Sequence, residues 1–190
     1  MTAETIPNTA AVLESTRLLL RTPERGDLEA IVRYAGDPRV ALKTTAIPHP
    51  YHLGHALDWL DAIGTDHVTG AVETFAIERK AVPGLIGVIS LTLRQDRCSA
   101  EIGYWLGVPF WRCGYATEAL REVLRHAFDD RGLLYVTGCH MAGNPGSGRV
   151  MQKGRMTFEN IVSGGIRRGG VFHDRVNYGL FADEWRFDLR

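Results

Sequence analysis

The chain has 190 residues, 45% of them apolar, enough to enclose the core of one domain, and its 22 Lys plus Arg match its 22 Asp plus Glu. A formal charge of zero provides no global field toward nucleic acid or a membrane surface, so neither partner is expected and recognition must be local. Cys98, Cys113 and Cys139 are odd in number and too scattered for a disulfide framework or a CxxC metal knuckle, which fits a reducing, cytoplasmic compartment.

Met1 to Ala11 carries no basic region followed by an apolar run, and no stretch approaches the roughly 20 apolar residues that span a bilayer. We expect a soluble chain, 1–190 forming one domain with 1–12 loose. Thr16 to Thr22 reads as a short apolar strand. Asp27 caps a helix over Leu28 to Tyr34, where Leu28, Ile31 and Val32 share a face and Gly36-Asp37-Pro38 supplies the stop. After the break at Pro48-His49-Pro50, His52 to Ile63 places Leu53, Ala56, Leu57 and Leu60 at helical spacing.

The period then changes. Thr74 to Glu78, Leu85 to Leu93 and Ser99 to Leu106 read as consecutive antiparallel strands, separated by Pro83-Gly84 and by Arg94 to Arg97. From Tyr115 to Phe128, Ala116, Ala119, Leu120, Val123, Leu124, Ala127 and Phe128 recur at helical steps. Leu133 to Cys139 is a further strand, Ser147 to Lys153 a short helix, and Met156 to Ile161 with Arg175 to Phe181 a closing strand pair. The order predicts a mixed α/β fold around a largely antiparallel sheet.

The informative stretch is Gly103-Tyr104-Trp105-Leu106 followed by Val108 to Ala119, a strand that turns tightly into an amphipathic helix. The first helical N–H groups have no internal partners and face a positive dipole end, which prepares the turn for a pyrophosphate. Gly114, with no Cβ, permits close approach and an unusual dihedral, and Arg112 could add a charged donor. No GxxxxGK(S/T) or GxGxxG pattern stands at this junction. On spacing alone, an ordinary glycine turn and a phosphate site are equally open, and a nucleotide-binding domain using the turn for another phosphate is a further alternative.

The run from Gly103 to Ala119 resembles motif A of the GNAT superfamily of N-acetyltransferases, particularly the branch that acetylates the N-termini of ribosomal proteins. That motif has Gln or Arg, two variable positions, Gly, one variable position, then Gly or Ala. Trp111, Gly114 and Ala116 fill the three fixed places, Tyr115-Ala116-Thr117-Glu118-Ala119 is similar to the branch's helix start, and Arg112 stands where a second glycine is common. Downstream, Asn144, Ser147 and Lys153 resemble the family's next segment, although Gly154-Arg155-Met156 exchanges the expected glycine with its neighbour. Asn177-Tyr178-Gly179-Leu180 and Glu184-Trp185 are similar to the branch's terminus.

The resemblance implies a GNAT-like fold with a splayed strand pair and flanking helices, using acetyl-CoA as co-substrate and no metal. Backbone groups of Trp105, Leu106 and Val108 would pair with pantetheine. Trp111, Arg112, Cys113, Gly114, Tyr115, Ala116 and Thr117 would hold the pyrophosphate. Asn144 would bond pantetheine amides and Ser147 would meet the departing thiolate, whereas on residue type alone both are equally helix-capping residues. Glu101, on the strand lining the cleft, is the candidate general base, balanced against an ordinary strand carboxylate. The tyrosine acid seen elsewhere in the superfamily falls at Met151. The acceptor is a protein N-terminal α-amine, or alternatively a small-molecule amine, and a non-catalytic acyl-CoA-binding module is the reading from another class. A monomer or homodimer is expected.

Other residues carry weaker signals. His49, His52 and His55 are interrupted by Pro48 and Pro50, and no metal site is assigned to them. Cys113 reads as a small filler and Cys139 as a buried strand residue. His140 reads as a surface strand residue or a proton carrier, and Tyr34, Tyr51 and Trp59 as core aromatics.

Overall fold

The computed structural model describes residues 11–187, so most of the segment expected to be loose lies outside the described residues. Among these, eight strands make one sheet in the order β1-β2-β3-β4-β5-β6-β8-β7. The strands are β1 Leu13–Glu14, β2 Leu18–Arg21, β3 Val72–Arg79, β4 Val82–Leu93, β5 Ser99–Leu106, β6 Tyr135–Met141, β7 Thr157–Arg168 and β8 Val171–Phe181. The helices are α1 Leu28–Ala35, α2 Pro38–Ala41, α3 Leu53–Thr69, α4 Tyr115–Arg125, α5 Pro145–Lys153 and α6 Ala182–Phe187. Every strand pair is antiparallel except β5 with β6, which is the mixed, largely antiparallel α/β architecture expected.

Alternation along β5 sorts the layers, because successive side chains point to opposite faces. Ala100, Ile102, Tyr104 and Leu106 pack into the larger core with α4, whereas Trp105 joins the smaller core with residues of α1 and α3. Ala119, Leu120, Val123 and Leu124 of α4 are fully enclosed. Burying each of the larger ones contributes about 1.5–3 kcal/mol, so the helix is fixed on the sheet by its middle and its first turn inherits that rigidity.

Several boundaries differ from the sequence reading, each for a local reason. α1 stops at its C-cap Gly36 as expected, and beyond the sequence reading Pro38 also opens α2 as a first-turn proline, with the Asp37 carboxylate accepting from the Arg39 N–H at 2.9 Å. α3 runs on to Thr69 and stops at Gly70, whose φ of 66° is a left-handed cap. Pro83 and Gly84 lie inside β4 near a register shift opposite Glu78, so they mark an irregular strand start. The closing hairpin is much longer than expected, because Gly164 and Gly165 sit at a bulge and Gly169-Gly170 form its turn with positive φ.

The predicted helix over Tyr115 to Phe128 changes winding at His126, where a π turn covers His126–Asp130 and Arg131 N–H donates to the His126 carbonyl at 2.9 Å. The buried His126 ring explains the change. Its Nε2 lies 2.7 Å from Glu73 and its Nδ1 3.0 Å from Asp130, while Arg131 also pairs with Glu73 and Arg125 with Asp130. Burial opposes the charged ring, but these two carboxylates outweigh it and hold the imidazole above its ordinary pKa. The charged pair therefore stabilises fully below the unfolded value near 6.5, and that contribution is lost as pH rises through the folded value. Melting followed against pH should show an alkaline decline that His126→Asn flattens, with Tm moving about 2–4 °C per kcal/mol lost; parallel curves for the two proteins would contradict the assignment.

Candidate active site

The sheet divides between β5 and β6. They pair from Ser99↔Tyr135 to Ile102↔Gly138 and no further, while β5 continues to Leu106 beside β4 and β6 continues to Met141 beside β8. From Gly103 onward the edge of β5 facing β6 is therefore not paired to it, and an extended ligand can take the place of a strand there. Leu106 turns its backbone groups to this edge, whereas Trp105 stands opposite Val88 of β4 and, by the alternation of the ladder, turns its own to that strand, unlike the sequence reading. The Leu106 carbonyl accepts the Trp111 indole N–H at 2.8 Å, which ties Trp111 back to the end of β5. Val108 opens a 3-10 turn, Val108–Phe110, and its carbonyl accepts Trp111 N–H at 3.2 Å.

The edge leads directly into the α4 turn. Trp111, Arg112, Cys113 and Gly114 are all exposed, and Tyr115, Ala116 and Thr117 are half-buried. Gly114 is the N-cap of α4 with φ 82°, a left-handed conformation, and it supplies no side-chain cap. Arg112 also has positive φ, at 61°. That explains the sequence departure: the position favours glycine because an L side chain in the left-handed region costs roughly 1–2 kcal/mol. The first-turn amides of α4 have no carbonyl partner within the helix and meet its positive dipole end.

Across the split stands the start of α5. Asn144 is its N-cap (φ −121°, ψ 64°), but the side chain makes no capping bond. The capping alternative for Asn144 is therefore not realised. Ser147 brings its Oγ to 2.8 Å from the Tyr104 hydroxyl, which also lies 2.9 Å from the Ser147 carbonyl. Tyr104 sits inside the motif that opens at Gly103, yet only strand alternation reveals that it faces Ser147. Burial pushes its phenol well above the ordinary tyrosine range, so it remains an O–H donor. Gly148 lets α5 approach this closely, since a Cβ there would be 2.8 Å from His140 Nε2 and 3.0 Å from the Tyr178 hydroxyl. Met151 is fully buried beneath Gly138.

At its far end, α5 closes with Met156 N–H donating to the Met151 carbonyl at 3.0 Å and Arg155 N–H to Gln152 at 2.9 Å. The left-handed residue is Arg155 (φ 75°), not Gly154, because a Cβ at 154 would lie 2.4 Å from Leu120 of α4. The exchange of glycine and neighbour thus preserves helix packing. Arg155 offsets its strain by donating to the Glu184 and Trp185 carbonyls at 2.9 and 3.2 Å.

Glu101 belongs to the opposite face of β5. Its carboxylate is 2.9 Å from Arg175 and 3.8 Å from Arg94, and the Cys139 thiol reaches it at 3.5 Å. Burial and the Glu101 charge push that thiol up to about 11, so Cys139 is held as an unreactive thiol. Above this face, Arg168 at the end of β7 donates to the carbonyls of Thr44 and Ile47 at 2.6 and 3.1 Å. The long hairpin therefore clamps the segment after α2, and Lys43 of that segment lies 5.7 Å from the Trp111 ring.

Of the remaining candidates, Cys113 is exposed and fills no space, and His140 is buried against Tyr178, with its Nδ1 donating to the Met141 carbonyl at 2.7 Å. Cys113 thus departs from the small-filler reading and His140 from the surface-strand one. His55 Nδ1 accepts the His52 N–H at 3.1 Å, a helix-start contact. Tyr34, Tyr51 and Trp59 pack in the smaller core with Trp105. An open groove of about 830 Å³ crosses the outer face of α4 from Arg17 and Gly114 to Lys153 and Trp185, without reaching Ser147 or Glu101.

Comparison with known proteins gives one consistent result. Residues 17–157 match the family described as acetyltransferase (GNAT) domain. The chain is 36% identical over 102 residues to "Putative ribosomal N-acetyltransferase YdaF" of Bacillus subtilis (strain 168), a match covering 53% of this chain and 56% of that protein. Its fold superposes on an acetyltransferase (GNAT family) from Bacillus anthracis with TM-score 0.82 at 24% identity, covering 92% and 100% of the two chains. The RimL ribosomal L7/L12 alpha-N-protein acetyltransferase, solved with coenzyme A, gives TM-score 0.81 at 18% identity over 92% and 99%.

Proposed function

Because the chain belongs to the acetyltransferase (GNAT) family, we propose that it moves an acetyl group from acetyl-CoA to a primary amine by direct attack, the amine being the α-amino group of a protein N-terminus. The observation that carries the reading is the split between β5 and β6, with the α4 turn at one end of it. Acetyl-CoA supplies an activated acyl group on a thiol that can leave. The amides of residues 114–117 and Arg112 hold the diphosphate; Leu106, Val108 and Asn144 pair with pantetheine; Ser147 protonates the departing thiolate. Glu101, on the other face, accepts the amine proton.

The choice of amine follows from that base. Glu101, the proposed proton acceptor, is ion-paired with Arg175 at 2.9 Å. An α-amine with pKa near 8 is roughly a tenth neutral at pH 7, whereas a lysine side chain near 10.4 is under a thousandth neutral. The α-amine therefore demands least of any base in the site, and the name of the YdaF relative, a putative ribosomal N-acetyltransferase, favours a protein acceptor.

Thiol release with three acceptors tests this: a peptide with a free N-terminus, the same peptide blocked but carrying a lysine, and a small polyamine. We expect kcat/KM for the free N-terminus to exceed the other two by at least tenfold. Glu101→Gln should lower it by roughly 10²-fold at pH 7 and less at pH 9, where the amine is already neutral. A preference for the polyamine would favour the small-molecule reading, and coenzyme A binding without turnover on any amine would favour a non-catalytic module.

A further inference from the structure

We propose that Arg17, on the turn between β1 and β2, is a positioning residue for the donor: it aims the Gly114 amide and neutralises Glu118 beside the diphosphate. The inference rests on the reading that the α4 turn holds that diphosphate. Arg17 makes an unusual number of contacts for a residue about a hundred positions away. Its Nη1 donates to the Cys113 carbonyl at 3.2 Å, its Nε and Nη2 each lie 2.6 Å from Glu118 Oε2, and its guanidinium stands 4.7 Å from the Tyr115 ring centroid. Its own N–H and the Ser15 hydroxyl both donate to Glu118 Oε1 at 2.8 Å. The strand edge thus grips the turn from behind.

Two physical consequences follow. The Cys113 carbonyl and the Gly114 N–H belong to one planar trans peptide, so they point in opposite directions. Holding the carbonyl on Arg17 therefore fixes the direction of the Gly114 N–H, away from Arg17. Without that hold, a turn with left-handed residues at 112 and 114 has several orientations available to it. The second consequence is electrostatic. Glu118 lies in the first turn of α4, where its charge suits the helix dipole but repels a bound diphosphate unless a cation offsets it. Arg17 is that cation, and its half-exposed guanidinium, 48% accessible, places positive charge at the near end of the α4 groove.

The test compares acetyl-CoA with S-acetylpantetheine, which has the same thioester and pantetheine but no diphosphate. In the unaltered protein acetyl-CoA should have the lower KM by at least tenfold. Arg17→Ala should raise the KM for acetyl-CoA about tenfold with kcat within twofold, and leave kcat/KM for S-acetylpantetheine within twofold. Arg17→Lys, which keeps the charge and one donor, should raise that KM about threefold and guards against a misfolded alanine variant. An equal loss with both thioesters would mean that Arg17 merely supports the fold, and an unchanged KM for acetyl-CoA would mean it does not aim the turn; either result overturns the proposal. If the unaltered protein treated both thioesters alike, the diphosphate reading itself would fail, and the proposal with it.

Discussion

Gly114→Val should raise the KM for acetyl-CoA by about a hundredfold, equivalent to about 2.7 kcal/mol of binding, with kcat changed by less than threefold. The reasoning starts from the backbone. Gly114 has φ 82° at the cap of α4, where a β-branched residue is strongly disfavoured. The chain would recover ordinary dihedrals only by rotating the peptides on either side, which carry the amides aimed at the diphosphate. A Cβ would also stand 3.4 Å from Arg17 Nη2, on the guanidinium whose Nη1 holds the Cys113 carbonyl. The rest of α4 is held by residues buried in the core, so the far-ultraviolet circular dichroism should be unchanged. Gly114→Ala should produce a smaller rise, near tenfold. An unchanged KM in the valine variant, with the protein folded, would remove the turn from the binding site.

Ser147→Ala is expected to lower kcat by roughly 10²-fold with little change in KM, the pattern of a lost transition-state proton donor. Negative charge collects on sulfur only as the C–S bond breaks, so a donor at that point lowers the barrier without strengthening ground-state binding. The Tyr104 hydroxyl at 2.8 Å completes the arrangement. Tyr104 donates its one proton to the Ser147 carbonyl at 2.9 Å, so its oxygen accepts from Ser147 Oγ and holds that hydroxyl at the split until the thiolate forms. Tyr104→Phe should therefore give an intermediate loss, and the double variant should be no slower than Ser147→Ala alone. Additive losses in the double variant would show that the two hydroxyls act separately.

Much of this site is legible in the amino-acid sequence, because its central residues are local. The helical period beginning at Tyr115, the glycine one residue before it and the following Asn144 to Lys153 segment locate both jaws of the split within about fifty residues. The remainder is set by distance or by geometry without a period. Arg17 and Glu118 meet across a hundred positions, and Glu101 acquires its partner Arg175 only when β6 and β8 lie side by side. The direction of Tyr104 depends on which face α5 covers. Glycine is informative but ambiguous, since Gly148 permits close packing while Gly164 to Gly170 bend and turn one long hairpin. Arg112 and Arg155 show the converse, since both occupy left-handed positions where the family resemblance leads one to expect glycine.

The central claim, that amides at the mouth of α4 grip the diphosphate of coenzyme A, can be read directly from an amide-resolved NMR titration of the unaltered protein. Addition of coenzyme A should move the N–H resonances of Gly114 to Thr117 most, saturably, with pantetheine alone leaving them near their starting positions. Coenzyme A at millimolar concentration that left these four amides unmoved would contradict the account.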